Sequence, residues 1–226
     1  YRIPENLPII FSRSICPKCN INIPLYRNIP IITYLIQSRK CHHCNKTISF
    51  QYPLVEFITA IIFFIGLKNH SYQEYILFLW ISTLLITIAI IDLKTLTIPL
   101  ILLFFIFIGE LIFLFFNLSQ LHIMSLGFIF GLGYLGITFI ITYLIYKKQT
   151  LGYGDLLLIS LIGIWLGPVD VLICIFLSAL TGLIIWIIKY FRDIDRLKLP
   201  LGTYLSFNAI FLKILNLNIL SYITSL

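Results

Sequence analysis

The sequence predicts an all-α polytopic membrane protein: a helical bundle with a small cytoplasmic zinc-binding module near the N-terminus. Three observations support this fold class. The 226 residues are 60% hydrophobic and only 11% charged, and the apolar residues form long blocks. Basic residues are concentrated in alternate connections between these blocks. Two Cys-x-x-Cys pairs stand in the polar segment that precedes the first block.

The chain divides into a polar segment and an apolar one. Residues 1–51 are polar and basic, and the chain turns apolar from about Tyr52. We therefore predict a cytoplasmic four-cysteine zinc module over 1–51 and a transmembrane helical bundle over 52–226. The chain begins at Tyr1 and its only methionine is Met124, so we expect a further apolar span upstream.

Seven apolar stretches follow the polar segment. They are predicted spans near 53–67, 75–92, 98–116, 124–146, 155–168, 170–190 and 200–220. The 155–168 span is the shortest, and it falls below the roughly 20 residues that a helix needs to cross hydrocarbon. We expect it to be tilted, extended at its ends, or merged with its neighbour through Gly167-Pro168.

The distribution of basic residues predicts the topology. Seven lie in 1–51, and the later ones fall mainly in 93–97, 147–154 and 189–199. Because Lys and Arg mark cytoplasmic loops, these four segments are predicted to be cytoplasmic, and seven spans then leave the C-terminus outside. The net charge of +7 is explained by this topology, so we expect no nucleic-acid partner.

Two aspartates stand at the edges of apolar spans. Asp92 ends a span that runs inward, and Asp155 begins a span that runs outward, so both are predicted at the cytoplasmic edge of the bilayer. Two carboxyl groups held together share a proton, and one can act as general base on a water while the other acts as general acid. That is aspartic-protease chemistry. The alternative is that Asp155 is an N-cap and Asp92 an ordinary helix-end residue.

The stretch Gly152-Tyr-Gly-Asp155 places two glycines before the second acid. Gly152 and Gly154 carry no Cβ, which lets the backbone turn tightly and approach a substrate strand closely. The alternative is a plain tight turn, which would have the same sequence.

The two cysteine pairs are Cys16-Pro-Lys-Cys19 and Cys41-His-His-Cys44. Four thiolates suit tetrahedral Zn²⁺, and disulfides are disfavoured in a cytoplasmic segment. We predict a structural zinc site, with the two histidines exposed. A zinc ribbon that binds nucleic acid is the alternative, but this segment runs directly into a membrane span.

The sequence leaves the roles of two glutamates undecided. Glu56 stands at the cytoplasmic mouth of its span, where it either contacts a cationic group such as a sulfonium or an amine, or pairs with a nearby Lys or Arg. Glu110 lies inside an apolar run, where a charge is costly, and no partner for it is readable from the sequence.

The motifs, taken in order, resemble the type IV prepilin peptidases, also called leader peptidases/N-methyltransferases. The resemblance covers nearly the whole chain. Its motifs are YRIP at 1–4, SRSICPKC at 12–19, NIPIITYL at 28–35, CHHC at 41–44, QYPLVE at 51–56, IDLKTLTIP at 91–99, GYGD at 152–155 and PLGTYL at 200–205. One departure is Leu100, where the family often has an acid.

The resemblance implies an intramembrane aspartic endopeptidase of the GxGD type in the bacterial cytoplasmic (inner) membrane. It would cut prepilins or pseudopilins of type IV pilus or type II secretion systems at the cytoplasmic face, after a Gly and usually before a Phe. It would then methylate the new N-terminal amine with S-adenosylmethionine. Asp92 and Asp155 would be the catalytic pair, and the four cysteines the metal-binding set linked to the methylating half. No glycine-rich signature for S-adenosylmethionine is visible.

Three other functions are compatible with parts of the sequence. One is a GxGD protease with another substrate and no methyltransferase activity. Another is a proton-coupled transporter that uses the Asp pair as a relay, although such carriers favour acids near the midplane and inverted repeats. A third is a membrane-anchored zinc module that only binds partners, which leaves GYGD unexplained.

Overall fold

The computed structural model describes residues 13–16, 18–27, 29–69, 71–147, 151–192 and 199–215. It forms two compact units, Tyr1–Lys68 and Asn69–Leu226. Over the described ranges the regular structure is helical, and β-structure is limited to two isolated bridges. The predicted domain boundary at residues 51 and 52 stays a prediction.

Over its described residues, the first unit consists of two cysteine-containing turns, a short 3-10 helix at Leu25–Arg27 and two α-helices. Helix α1 covers Ile32–Ile36 and helix α2 covers Gln51–Asn69. The turns are closed by antiparallel bridges, Ile15 with Asn22 and Lys40 with Thr47. This unit is too small and polar to bury a large core, which agrees with the expectation that a metal holds it together.

The second unit is a bundle of six helices. They are α3 Tyr72–Thr95, α4 Leu100–Phe116, α5 Leu121–Tyr146, α6 Tyr153–Leu166, α7 Pro168–Phe191 and α8 Leu201–Leu215. Each of the seven predicted spans thus overlaps one helix among α2–α8, and the last part of the 200–220 span lies outside the described residues. Within the described ranges, the helices at 72–95, 118–146 and 168–191 are long and apolar enough to cross a membrane, and the other four are shorter.

Local sequence sets the helix ends. At the start of α3, the backbone N–H and the hydroxyl of Ser71 both donate to Oε2 of Glu74, at 3.1 and 2.8 Å. The helix ends at Leu96, which adopts the left-handed conformation with φ 55°. Pro99 then precedes the first residue of α4, a position that its fixed φ suits.

The shortest predicted span is a separate helix. Gly167 has φ 92° and ψ 176°, a conformation that favours glycine, and it divides α6 from α7. Helix α6 has 14 residues, which gives a length of about 21 Å. Its last carbonyl groups therefore need a donor inside the bundle.

That donor is Lys213 of α8. Its Nζ lies 2.9 Å from the carbonyl oxygen of Trp165, in the last turn of α6. A cation at a helix C-terminus is favourable, because the helix dipole is negative there. The charge of Lys213 also interacts with those of Glu74, Asp170 and Glu110. Neither carboxyl oxygen of Glu110 has a hydrogen-bond partner among the described residues.

The core of the bundle is built mainly by α3, α6 and α8. Phe78, Leu85, Leu158 and Leu205 are at most 1% exposed. Many large apolar side chains on α4, α5 and α7 are exposed, Phe115 by 76% and Phe176 by 67%. An apolar exterior around a packed interior is what a lipid-facing bundle requires.

Helices α5 and α6 meet through glycines. A Cβ added at Gly127 would collide with the backbone carbonyl of Gly163, and a Cβ added at Gly163 would collide with that of Gly127. A Cβ at Gly131, one turn further along α5, would lie 2.7 Å from the carbonyl oxygen of Ile159. The Gly127-x-x-x-Gly131 pair thus permits the close backbone approach that small residues give to helices in membranes.

Candidate active site and metal centre

Asp92 lies in the last turn of α3, where its carboxylate meets the beginning of α8. The backbone N–H of Thr203 donates to Oδ2 of Asp92 at 2.8 Å. The hydroxyl oxygen of Thr203 lies 3.1 Å from the same carboxylate oxygen and 3.0 Å from the carbonyl oxygen of Ala89. Asp92 is buried, with only 4% of its surface exposed. A buried carboxylate needs such donors, because water cannot solvate it.

These contacts make Asp92 a cap for α8, although it belongs to another helix. Thr203 is the third residue of α8, and its N–H is one of those that the helix cannot pair internally. The N–H of Gly202 adds a second backbone interaction with the same carboxylate. The positive end of α8 therefore points at Asp92, which favours a negative charge there.

Asp155 occupies the third position of α6, after Gly152 as the N-cap residue. Its carboxylate turns back to the Gly152 backbone, which contributes a hydrogen bond. This is the acidic half of a capping box. Asp155 is half-buried, so it is more accessible to solvent than Asp92.

The two acids are close enough for their charges to interact. Each faces a helix N-terminus, Asp155 on α6 and Asp92 against α8, and each N-terminus carries about half a positive charge. The two termini together offset about one negative charge, which matches a carboxyl pair that holds one proton. The arrangement can activate a water with no cation at the pair.

Neighbouring atoms leave little space for a side chain at either glycine of GYGD. Gly152 has φ −78°, an ordinary value. A Cβ at Gly152 would lie 3.0 Å from Oδ2 of Asp155, and a Cβ at Gly154 would lie 3.0 Å from Cβ of Ile98. The atoms that approach these glycines are therefore the catalytic candidate itself and a side chain of the loop before α4. Their proposed contact with a substrate strand stays a prediction.

Ile98 was not singled out in the sequence, and Gly202 was noted only as part of the motif PLGTYL. A Cβ at Gly202 would lie 2.8 Å from Cδ1 of Ile98 and 3.1 Å from Oδ2 of Asp92. Ile98 thus packs against glycines of both α6 and α8 beside the acid pair. The motifs IDLKTLTIP and PLGTYL contain these residues, and that is the signal that could have identified them.

The four predicted cysteines come together in the first unit. The sulfur atoms of Cys16, Cys19, Cys41 and Cys44 all lie within 4.8 Å of one another. Four sulfurs at about 2.3 Å from a tetrahedral zinc ion are about 3.8 Å apart, so the set fits a metal of this size. The described cluster contains no histidine, and His42 and His43 are exposed as predicted.

The two halves of this cluster are copies of one turn. In each, the first cysteine donates its backbone N–H to the residue five positions on, Cys16 to Ile21 and Cys41 to Lys46. Asn20 and Asn45 follow the second cysteines and both have positive φ, 56° and 52°, which asparagine tolerates better than most residues. Both turns share the sequence pattern C-x-x-C-N-x-x-I, which indicates the repeat.

Backbone N–H groups in the second cysteine turn favour the thiolate form of Cys41, which can bind a cation. Hydrogen bonds from the backbone of Cys44 and then of His43 lower the pKa of Cys41 to about 6. A thiol that ionises readily is a good metal ligand, because metals bind the thiolate.

Glu56 of α2 has a protein partner. Its Oε2 accepts a hydrogen bond from the backbone N–H of Ile31 at 2.8 Å. Ile31 has φ 60°, so Glu56 supports a strained turn at the start of α1. The contact gives Glu56 a structural role, and its predicted contact with a substrate or methyl donor stays a prediction.

Two family models match the chain. Residues 1–69 match the family model described as Bacterial Peptidase A24 N-terminal domain, and residues 76–187 match that of the Type IV leader peptidase family. No solved structure matches the chain.

Several curated proteins named Prepilin leader peptidase/N-methyltransferase are similar to it. One from Neisseria gonorrhoeae is 34% identical over 76% of this chain and 60% of its own length. One from Pectobacterium carotovorum is 31% identical over 90% of this chain and 74% of its own length. One from Bacillus subtilis is 33% identical over 80% of this chain and 72% of its own length. The chain belongs to the type IV leader peptidase family.

Proposed function

We propose that this protein removes the leader peptide of prepilins or pseudopilins at the cytoplasmic face of the bacterial inner membrane and then methylates the new N-terminal amine. The observation that supports the proposal is the placement of Asp92 against the N-terminus of α8 and of Asp155 in the first turn of α6, close enough for their charges to interact. Relatives of this chain are named for both activities, leader peptidase and N-methyltransferase.

The acid pair has the parts that peptide hydrolysis needs. The ionised carboxyl takes a proton from water, whose oxygen attacks the scissile carbonyl carbon, while the protonated carboxyl gives its proton to the carbonyl oxygen. The resulting diol collapses: the first acid gives its proton to the leaving nitrogen, the C–N bond breaks, and the second acid recovers a proton from a diol hydroxyl. The products are a carboxylic acid and an amine, and the pair ends with one proton, as it began.

The proposed topology brings the substrate to this pair. Prepilins have a short basic leader in the cytoplasm and an apolar helix in the membrane, so their cleavage site lies at the membrane edge. The charge distribution predicts the same level for Asp92 and Asp155. The sidedness of the loops and the external C-terminus belong to this proposal.

The four-cysteine cluster would hold Zn²⁺ as a structural ion. Its thiolates would complete a closed tetrahedral site, which leaves no open position for chemistry at the metal. S-adenosylmethionine would supply the methyl group. The assignment of this donor is supported by the relatives' names and by the resemblance in the motifs.

Cleavage is tested with membranes that contain the full chain and a synthetic prepilin whose leader ends in Gly before Phe. We expect Asp92→Asn and Asp155→Asn each to lower cleavage at least about a thousandfold, because each variant removes one half of a proton-transfer pair. Asp170→Asn, at the start of α7, is the matched control and should retain cleavage. Normal cleavage by either pair variant would contradict the proposal.

Methylation is tested in the same reaction with labelled S-adenosylmethionine. Mass analysis of the product should show one added methyl group at the new N-terminus. Cleaved but unmethylated product would favour the alternative of a GxGD protease that lacks methyltransferase activity. If neither reaction occurs and proteoliposomes instead show Asp-dependent proton uptake, the transporter alternative is favoured.

A further inference from the structure

Thr203 makes two contacts that together distinguish it from an ordinary capping residue. Its backbone N–H donates to Oδ2 of Asp92 at 2.8 Å. Its hydroxyl oxygen lies between two acceptors, 3.1 Å from that carboxylate oxygen and 3.0 Å from the carbonyl oxygen of Ala89. A hydroxyl has one proton to donate and two lone pairs to accept with, so it cannot fully satisfy both acceptors at once.

The direction of the hydroxyl proton depends on the state of Asp92. When Asp92 is ionised, it is an obligate acceptor, and the Thr203 hydroxyl donates to it. When Asp92 is protonated, its own O–H can donate to the hydroxyl oxygen, and the Thr203 proton turns to the carbonyl of Ala89. In each state the carboxyl group of Asp92 keeps a hydrogen bond with the Thr203 hydroxyl, which matters in a site where Asp92 is only 4% exposed.

The surroundings also differ between the two acids. Asp92 receives two backbone N–H interactions and the hydroxyl, all at the N-terminus of α8. Asp155 receives one, from the Gly152 backbone, and has Asp92 as its like-charged neighbour. The hydrogen-bond donors are concentrated on Asp92, and donors to a carboxylate favour its ionised form over that of Asp155.

We propose that Thr203 is a positioning residue whose hydroxyl proton alternates between Asp92 and the Ala89 carbonyl during each turnover, and that Asp92 is the general base of the pair. Asp92 takes the proton of the attacking water as Asp155 gives its own to the scissile carbonyl oxygen. The Thr203 hydroxyl then turns to Ala89. When Asp92 releases the proton to the leaving nitrogen and the C–N bond breaks, Asp155 recovers a proton from a diol hydroxyl and the Thr203 hydroxyl turns back. The inference rests on the proposed peptidase function.

The test compares variants of Thr203 that keep or lose the hydroxyl. Thr203→Ser retains both the N–H and the hydroxyl, whereas Thr203→Val retains the shape and the N–H alone. We expect Thr203→Val to lower kcat by about ten- to a hundredfold, the effect of one hydrogen bond to a charged group, with KM within about twofold. Thr203→Ser should stay within about threefold of the parent kcat. The substrate is the synthetic prepilin peptide, with the full chain in membranes.

The matched control is Thr87→Val. Thr87 lies on α3, and its hydroxyl donates only to a main-chain carbonyl, that of Thr83, at 2.8 Å. This variant should change neither kcat nor KM. Thr203→Ala provides a second variant without the hydroxyl if valine prevents folding, and the thermal unfolding midpoint of each variant reports on folding directly.

The outcomes separate the two proposals. If the parent chain cleaves the peptide and Thr203→Val or Thr203→Ala matches it in kcat, the role of Thr203 is overturned while the peptidase function stands. A rise in KM with kcat unchanged also overturns it, because that pattern indicates substrate binding. If the parent chain itself does not cleave the peptide, the peptidase function fails and the inference fails with it.

Discussion

Ile98 is the side chain that brings the two helix starts together at the acid pair. It contacts Gly154 through its Cβ and Gly202 through its Cδ1. A side chain at either glycine would therefore displace Ile98, but the two displacements involve different atoms. This difference allows the packing beside the acids to be tested atom by atom.

We predict that Gly202→Ala lowers cleavage and stability and that Ile98→Val partly restores both. The new Cβ would lie 2.8 Å from Cδ1 of Ile98 and 3.1 Å from Oδ2 of Asp92. Overpacking of this kind costs about 1–3 kcal/mol, and valine removes the Cδ1 atom. The measurements are kcat on the prepilin peptide and the free energy of unfolding in detergent.

Gly154→Ala is the control for this rescue. Its new Cβ would meet Cβ of Ile98 at 3.0 Å, and valine retains that atom. Ile98→Val should therefore give less relief to Gly154→Ala than to Gly202→Ala. Equal rescue of both alanine variants would contradict the packing described here.

The sequence predicted the acids but not their supporting residues. Asp92 and Asp155 were recognisable because a carboxyl group at the edge of an apolar span is unusual. Thr203 was not, because an isolated threonine has no such cost, and its contact with Asp92 joins residues 111 positions apart. Gly202 was noted only as part of its motif, since the sequence does not show what approaches it.

At the scale of the elements, the α5–α6 contact depends on the absence of side chains. Gly127 and Gly163 bring the two backbones together, and α6 is the helix that carries Asp155. The position of that acid thus depends on a helix contact remote from it along α6.

We predict that Gly127→Ala destabilises the protein by about 3 kcal/mol or more, at the upper end of overpacking effects. The alanine Cβ would collide with the carbonyl group of Gly163, and backbone atoms cannot move aside as a flexible side chain can. Gly133→Ala is the matched control on the same helix, because no described atom lies within 4 Å of its added Cβ. Thermal unfolding in detergent should separate the two variants; equal midpoints would exclude the glycine contact.

Apolar blocks and helix-breaking residues predicted the positions of the helices well. The sequence did not predict which side chains contact one another between helices. Pro99 gave one boundary from local chemistry alone, whereas a merger of two spans through Gly167-Pro168 stayed open. The sequence left open whether the shortest span is tilted, extended at its ends or merged with its neighbour. The answer depends on Lys213, which reaches the end of α6 from α8. No local pattern indicates that contact.

At the scale of the whole molecule, two compact units carry the two groups of candidate residues. The cysteine cluster belongs to Tyr1–Lys68 and the acid pair to Asn69–Leu226. The two CxxC pairs predicted the cluster. The repeated turn around them went unrecognised, because it depends on the asparagine after each second cysteine.

We predict about one zinc ion per chain, bound by the four clustered cysteines. Cys19→Ser should abolish binding, because serine offers no thiolate. Cys174→Ser is the matched control, since this fifth cysteine is buried in the bundle with its sulfur 3.6 Å from the carbonyl oxygen of Leu205. Metal analysis of the purified chain provides the measurement. Loss of zinc in the Cys174 variant, or its retention in the Cys19 variant, would exclude this site.

The contact between Asp92 and α8 has a consequence for biogenesis. Chains are synthesised from the N-terminus, so Asp92 and Asp155 both leave the ribosome before Thr203. Until α8 enters the bundle, Asp92 lacks the N–H and hydroxyl donors that Thr203 provides. An incomplete chain that lacks α8 therefore contains both acids without their final alignment, and α8 completes the site.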